Sequence, residues 1–416
     1  MADNLKTILK DIAKKYGDNV AKIGAEDLSV DGLLSFGSPM ADYPIYGGLP
    51  EGRIIEFSGA EGSGKTSSSF LIAASYQREE LKRHPVGEDW TDSTGILRTG
   101  PRCIVFLDNE GTLDPVWANV FGYDLSEDAD VKTVLLRPEG QSAEEIFDMA
   151  LNLLRTGEVG LLIFDSIATL VPAQIVDESM EKYQMGGIAK SLTRFANTAL
   201  GLLRKYKATL IGINQVRENI GGYGNPIMTP GGRAWRHACS TRLMFKRGDF
   251  IDEEGNKLST SAESPAGHIV NIAVLKAKTN RWDRKGGSYT LNYTRGIDIL
   301  ADTIECALHF GFIDNSVQGT FKLINPISKE PILDDEGKEI KIRGKKNVVT
   351  YFNEHPIEWK KLYDLVYEKL SIKEDPYVIG FEKMLNENIE KAFGFKINEH
   401  TMGDDIAIYN KEEDDG

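Results

Sequence analysis

An α/β fold with a mainly parallel sheet flanked by helices, preceded by an N-terminal helix and followed by a small α+β C-terminal domain, is predicted by three observations. Short apolar runs alternate with helix-period stretches between about residues 53 and 214, the pattern of strands joined by helical crossovers. The glycine-rich segment Gly59-Ala60-Glu61-Gly62-Ser63-Gly64-Lys65-Thr66 follows the first apolar run and opens a helical stretch, the context in which a phosphate-binding loop forms. Beyond about residue 238 the helical stretches give way to strand-like runs close together in sequence, which adds antiparallel or mixed strands to the sheet.

The elements follow in order. Leu5, Ile8, Leu9, Ile12, Ala13, Tyr16 and Val20 recur three and four apart, predicting one amphipathic helix over 5–24. Its apolar stripe packs on its own domain or docks on another subunit. After the break at Gly47–Gly52 come strand 53–58, a helix at 64–82, strand 103–108, a helix near 115–121 and strand 132–136. A helix at 142–156, strand 160–165, a helix near 186–205 and strand 208–214 complete the alternation. Residues 243–245, 268–275 and 289–293 read as the later strands. The expected organisation is an N-terminal helical segment over 1–35, a core over 36–300 and a smaller unit over 301–416 with an acidic tail. His84–Arg102 and Asp249–Pro265 are polar and rich in Gly, Pro, Ser and Asp, and are expected to be surface loops.

Composition narrows the function. The chain has 416 residues, 41% hydrophobic and 27% charged, ordinary globular usage that fits neither wholesale disorder nor a membrane protein. No apolar run approaches the ~20 residues of a bilayer span, and the N-terminus lacks a secretory pattern, so a cytoplasmic chain is expected. Three scattered cysteines offer neither a disulfide framework nor a zinc knuckle. The net charge of −14 opposes a chain that coats nucleic acid with its whole surface but leaves room for a local basic groove.

Several segments carry chemistry. In Gly59–Thr66, backbone N–H groups can curl around phosphates, Lys65 can reach the outer phosphates and Thr66 can hold Mg²⁺. Asp165 ends the run Leu161-Leu162-Ile163-Phe164, which would deliver it to the sheet edge as a second Mg²⁺ group, with a helix cap as the plain alternative. Glu110, after Phe106-Leu107-Asp108-Asn109, can orient and deprotonate an attacking water. Asn214-Gln215 places an amide at a strand end where it can sense a γ-phosphate.

Val216 to Arg242 contains Gly221, Gly222, Gly224, Gly231 and Gly232 with Arg217, Arg233, Arg236 and Arg242 against the single acid Glu218. That composition suits contact with nucleic-acid phosphates, against the alternative of an ordinary surface loop. Pro172–Gly187, with Met185-Gly186-Gly187 at its exit, is a second loop at the same edge. Lys276 and Lys278 alternate on a late strand and share a face; solvated lysines are the ordinary reading of such a pair.

Together these residues resemble the bacterial RecA recombinase family over about residues 5–310, through GGLPEGRIIEFSGAEGSGKT, FLDNEGTLDP, LLIFDSIATLVP, GINQVR, the following GNP…GG loop and VLKAKTNRW in that order. The resemblance implies a RecA-like P-loop NTPase core using ATP and Mg²⁺, a DNA-dependent ATPase that forms a helical filament on single-stranded DNA and also engages double-stranded DNA. Single-strand-binding or mediator proteins would be further partners. It implies that Glu110 is the catalytic carboxylate, Asp165 the Mg²⁺ acid and Gln215 the γ-phosphate switch, with Lys276 and Lys278 reaching a neighbour's ATP. Asp114 and Trp117 match adenine-contacting positions, although the family usually carries Tyr at the latter. Met185, Gly186, Gly187, Arg194, Arg217, Asn219, Gly221, Gly222, Gly231, Gly232 and Arg233 would belong to the DNA-binding loops and their surroundings.

The two insertions depart from bacterial RecA, and Trp235–Cys239 reads as unusually polar for a subunit interface. A longer C-terminal domain and inserted loops would suit a phage-encoded relative. The acidic end, with Asp404, Asp405, Glu412, Glu413, Asp414 and Asp415, would compete with duplex DNA for a basic surface, beside its plain reading as a solvated end. A ring-shaped helicase or DNA motor on the same core, and a regulatory ATPase that does not process DNA, are the competing readings.

Overall fold

The structure, a computed structural model, describes residues 2–16, 32–173, 187–218, 227–253, 255–259, 261–279, 283–325, 328–334, 336–371 and 376–394. Its centre is a ten-stranded sheet. The strands are β1 (Ile54–Gly59), β2 (Cys103–Asp108), β3 (Thr133–Leu136), β4 (Val159–Asp165) and β5 (Thr209–Gln215), then β6 (Thr241–Ile251), β7 (Lys257–Leu258), β8 (Gly267–Ala277), β9 (Gly286–Asn292) and β10 (Gly296–Ile297). They lie in the order β10-β9-β8-β6-β1-β5-β4-β2-β3, with β7 paired on β6. From β6 to β3 the pairings are parallel, and β7, β8, β9 and β10 pair antiparallel with their neighbours.

Every residue of β1 and β4 is buried; β4 accordingly reads as an apolar run up to Asp165, whereas β1 carries the buried Glu56 and Ser58 among its apolar residues. The helices are α1 (Ala2–Tyr16), α2 (Lys65–Arg83), α3 (Pro115–Val120), α4 (Ala143–Thr156), α5 (Gly187–Tyr206) and α6 (Gly232–Ala238). On one face of the sheet Phe57, Phe106 and Phe245 pack with Phe70 and Tyr76 of α2 and Ala118 of α3. On the other, Phe164 and Leu210 pack with Phe147 of α4 and Phe195 of α5, whose rings stack 4.5 Å apart. A capping box starts α4: Ser142 Oγ accepts from the Glu145 N–H while Glu145 Oε2 accepts from the Ser142 N–H at 2.8 Å.

The smaller unit holds α7 (Ile299–His309), a three-stranded sheet of Ile313–Asp314, Thr320–Leu323 and Lys341–Arg343, then α8 (Lys345–Glu354), α9 (Pro356–Ser371) and α10 (Pro376–Phe393). Ile304, Phe310, Phe352, Val366 and Phe381 form its interior, joined by Tyr43. Arg284 fastens it to the large sheet: its guanidinium lies 3.8 Å from the centre of the Tyr43 ring and donates to the Tyr43 and Leu370 carbonyls at 2.9 and 3.1 Å.

Four expectations need correction or limit. The predicted helix over 5–24 is described as Ala2–Tyr16, and 17–24 lie outside the described residues. His84–Arg102 is not merely a loop: Asp89–Thr91 and Leu97–Thr99 pair as a hairpin. Its turn is built on Asp92, whose Oδ1 accepts from Thr94 and Ile96 N–H at 2.8 and 3.0 Å, and whose charge pairs with Arg98 at 2.9 Å. The hairpin ends at Arg102, which donates to both oxygens of the fully buried Glu80, at 2.7 and 2.8 Å. Asp249–Pro265 likewise extends β6 and returns as β7, with the Asp252 carboxylate accepting from Asn256. The Trp235–Cys239 stretch is not polar in effect, because Trp235, Ala238 and Cys239 are all buried.

Candidate active site

Parallel strands emit their chemistry at their carboxyl ends, and here β1, β5, β4 and β2 lie side by side. They bring Gly59, Gln215, Asp165 and Asp108 to one edge. Ala60, Glu61 and Gly62 are exposed beyond β1, while Ser63 and Lys65 are buried. Gly64 has φ +92°, and a Cβ there would lie 2.9 Å from Val270 Cγ2, so glycine is required both for the turn and for the close approach of β8.

Lys65 Nζ donates to the Ala60 carbonyl at 2.6 Å, folding back over the loop it would leave to meet a phosphate. Burial holds its pKa below the ordinary lysine value, opposed by the nearby Asp165, Glu110 and Glu61 carboxylates. Thr66 Oγ1 donates to Asp165 Oδ2 at 2.7 Å. Burial pushes the Asp165 carboxyl up to about 6, with Glu110 and Asp108 adding to the rise and the Thr66 bond and Lys65 opposing it. A buried carboxylate beside other acids and a hydroxyl is short of positive charge, and the set fits Mg²⁺ shared with phosphates. Among the described residues no group of three or more His, Cys, Asp or Glu side chains could hold a metal by itself.

Glu110 Oε1 accepts from Ser166 Oγ at 2.7 Å and from Gln215 Nε2 at 3.1 Å. The candidate water-orienting acid is thereby held between the strand that carries Asp165 and the strand that leads into the glycine-rich segment. Ser166 was not singled out from sequence; its position directly after Asp165 was the available signal. Asp108 is a second acid sequence reasoning left aside: it accepts from Thr112 and Leu113 N–H at 3.0 and 3.2 Å and pairs with Arg137, fixing the turn that carries Glu110.

The remaining candidates are distributed as follows. Asp114 caps α3, accepting from the Val116 N–H at 2.8 Å, and the half-buried Trp117 meets Phe121 edge-on at 4.8 Å. Lys276 and Lys278 do share a face: both donate to the His237 carbonyl, at 3.3 and 2.7 Å, and Lys276 also reaches the Arg236 carbonyl. They thus complement the carboxyl end of α6. Burial and the neighbouring Lys278 lower Lys276 to about 8.

Gly187 opens α5, and Arg194 is exposed on the same helix. Gly231 and Gly232 form the left-handed turn into α6, with φ +106° and +72°, and Arg233 is exposed just beyond. The backbone of Arg217 pairs with Met228, closing the two ends of the segment as a short ladder. Arg242, counted as one of the segment's charges, is instead held at 2.5 Å by the buried Glu56. Met185, Gly186, Asn219, Gly221 and Gly222 lie outside the described residues, as does the acidic tail. No helix among the described residues is long and apolar enough to cross a membrane.

The profile of the RecA N-terminal domain matches residues 3–83 and 95–298, interrupted within the hairpin. Protein RecA of Fusobacterium nucleatum subsp. nucleatum is 30% identical over 341 residues, spanning 77% of this chain and 80% of its own length. Protein RecA of Mycoplasma mobile is 30% identical over 366 residues, spanning 84% and 99%. Protein RecA of Staphylococcus carnosus is 27% identical over 400 residues, spanning 95% and 96%.

Proposed function

The chain belongs to the RecA family, and from that premise we propose that it is an ATP-dependent DNA recombinase that assembles as a filament on single-stranded DNA and catalyses homologous pairing and strand exchange. The observation that carries this reading is the bonding of Glu110 to both Ser166 and Gln215. It joins the acid suited to water activation to the root of a segment rich in glycine and arginine.

In this mechanism the loop Gly59–Thr66 wraps the ATP phosphates, and Lys65 exchanges the Ala60 carbonyl for the outer phosphate oxygens. Thr66 and Asp165 would hold Mg²⁺, which would neutralise phosphate charge there. Glu110 orients the attacking water and takes its proton. Gln215, drawn toward the γ-phosphate, loosens its bond to Glu110 and shifts the start of the 216–231 segment, whose Arg217 and Arg233 meet DNA phosphates. Lys276 and Lys278 leave the carboxyl end of α6 to reach the ATP of an adjacent protomer, so filament assembly and hydrolysis are linked. Chemistry on DNA is confined to exchange of pairing partners; the protein positions and switches.

The test is steady-state ATP hydrolysis without DNA, with single-stranded DNA and with duplex DNA, at fixed magnesium and salt. Stimulation by the single strand that rises steeply with protein concentration supports the recombinase. Turnover indifferent to DNA would instead favour a regulatory ATPase, and closed rings without filaments in electron micrographs would favour a motor.

A further inference from the structure

Outside the phosphate site, a buried polar cluster centres on Glu56, fully buried in the middle of β1. Its Oε1 accepts from Asn214 Nδ2 at 3.0 Å and from Trp235 Nε1 at 2.9 Å, and its Oε2 accepts from Arg242 Nε at 2.5 Å. Asn214 Nδ2 also donates to the Pro230 carbonyl at 2.8 Å, and Arg242 donates to Thr229 Oγ1 at 3.2 Å. One carboxylate therefore ties together β1, the end of β5, the exit of the glycine-rich segment, α6 and β6. A carboxylate this deep is tolerated only when fully paired, so these elements are obliged to move in concert.

Two further features make the cluster a transmitter. Asn214 is the chain neighbour of Gln215, and the Trp235 ring approaches β5 so closely at Gly212 that a Cβ there would stand 2.7 Å from Trp235 Cζ2. The helix α6 is thus packed directly on the strand that carries Gln215. In addition, Asn214 Oδ1 is buried with no hydrogen-bond partner among the described residues. An orphaned buried acceptor destabilises this arrangement relative to one in which the amide finds a donor, which is the property of an element with two settings.

We propose that Glu56 is a positioning residue, acting through Asn214 and Trp235, that transmits nucleotide-driven movement of Gln215 to residues 227–238. The proposal rests on the nucleotide reading of the site above, and its DNA-independent readout separates its fate from that of the recombinase reading. The probe is hydrogen–deuterium exchange of the full chain, with and without a slowly hydrolysed ATP analogue and Mg²⁺, in wild type, Glu56→Gln and Trp235→Phe. Trp235→Phe removes the N–H donated to Glu56 and part of the indole ring, but leaves the Glu56–Arg242 pair in place, so it reports even where Glu56→Gln impairs folding.

Wild type is expected to change protection over 227–238 by about tenfold on nucleotide addition, while the variants bind nucleotide within about threefold of wild type and show a change below about twofold. Single-strand stimulation of ATP turnover is expected to fall in parallel, with DNA-free turnover retained. A wild-type segment indifferent to nucleotide, or variants that keep the full response, overturns the proposal. Nucleotide-linked protection that both variants lose, in a protein whose turnover ignores DNA, sustains the coupling and removes the recombinase reading. DNA-stimulated turnover undiminished in both variants does the reverse.

Discussion

Glu110→Gln separates water activation from every other function of the site. The substituted amide keeps an oxygen that can accept from Ser166 Oγ and Gln215 Nε2, now at 2.7 and 3.1 Å, so the geometry survives while the proton acceptor is lost. If one of those hydrogen bonds weakened, the change would amount to about 0.5–1.5 kcal/mol, or roughly tenfold in nucleotide affinity at most. Loss of general-base action is larger, about 10²–10⁴ in rate, equivalent to about 3–5 kcal/mol of barrier. Single-turnover hydrolysis at saturating ATP, measured beside equilibrium nucleotide binding, resolves the two. A variant that binds normally and hydrolyses within about threefold of wild type would falsify the assignment of Glu110 and point to another base.

Glu80→Gln leaves Arg102 buried against an uncharged partner, and the expected loss of about 3–5 kcal/mol lowers the melting temperature by about 3–6 °C in calorimetry; an unchanged melt means the hairpin anchor contributes little. Asp302 is raised by burial to about 7, so the folded chain keeps a proton that the unfolded chain has released above about pH 4. Stability is therefore expected to decline as pH rises from about 4 to about 7, by up to about 1.4 kcal/mol per unit, and to level off above. Asp165 and Asp42, raised to about 6, add to the decline at lower pH, so Asp302→Asn is expected to flatten the urea midpoints chiefly between about pH 6 and 7; an unchanged slope in that window assigns the titration elsewhere. Arg233→Ala reduces the salt dependence of single-strand binding by about 0.7–1 in log–log slope; an identical slope places Arg233 off the DNA.

The parallel part of the sheet was legible because β2, β4 and β5 are largely apolar runs ending in polar groups and β1 leads into the glycine-rich loop, which both locates the strands and aligns Gly59, Asp108, Asp165 and Gln215 at one edge. The hairpin was not, because its turn depends on the single side chain of Asp92, and polar residues that fold around one carboxylate look in sequence like any loop. The Trp235–Cys239 stretch reads as polar through Arg236 and His237, but helical spacing turns Trp235 and Ala238 inward, and the extended Cys239 that follows is buried as well. Counting arginines overstated the positive charge of the segment, since the partner of Arg242 lies 186 residues away and no local pattern announces it. The same distance hid Glu56. Ser166 and Asn214 stood beside residues already singled out, and only the fold shows what they hold.

The hairpin at 89–99 leaves the large sheet at the end opposite the phosphates. Its attachments are to Glu80 and Glu158 and to the carbonyls of Lys205, Tyr206 and Lys207, all near the amino ends of β2, β4 and β5. At its tip Gly95 faces open space, with φ +81° and no atom within 4 Å of a Cβ placed there. Dyes, tethers or affinity peptides grafted at that tip would stand a full strand's length from the nucleotide. The chain thus carries a natural handle by which it can be immobilised or observed singly while its working edge stays free.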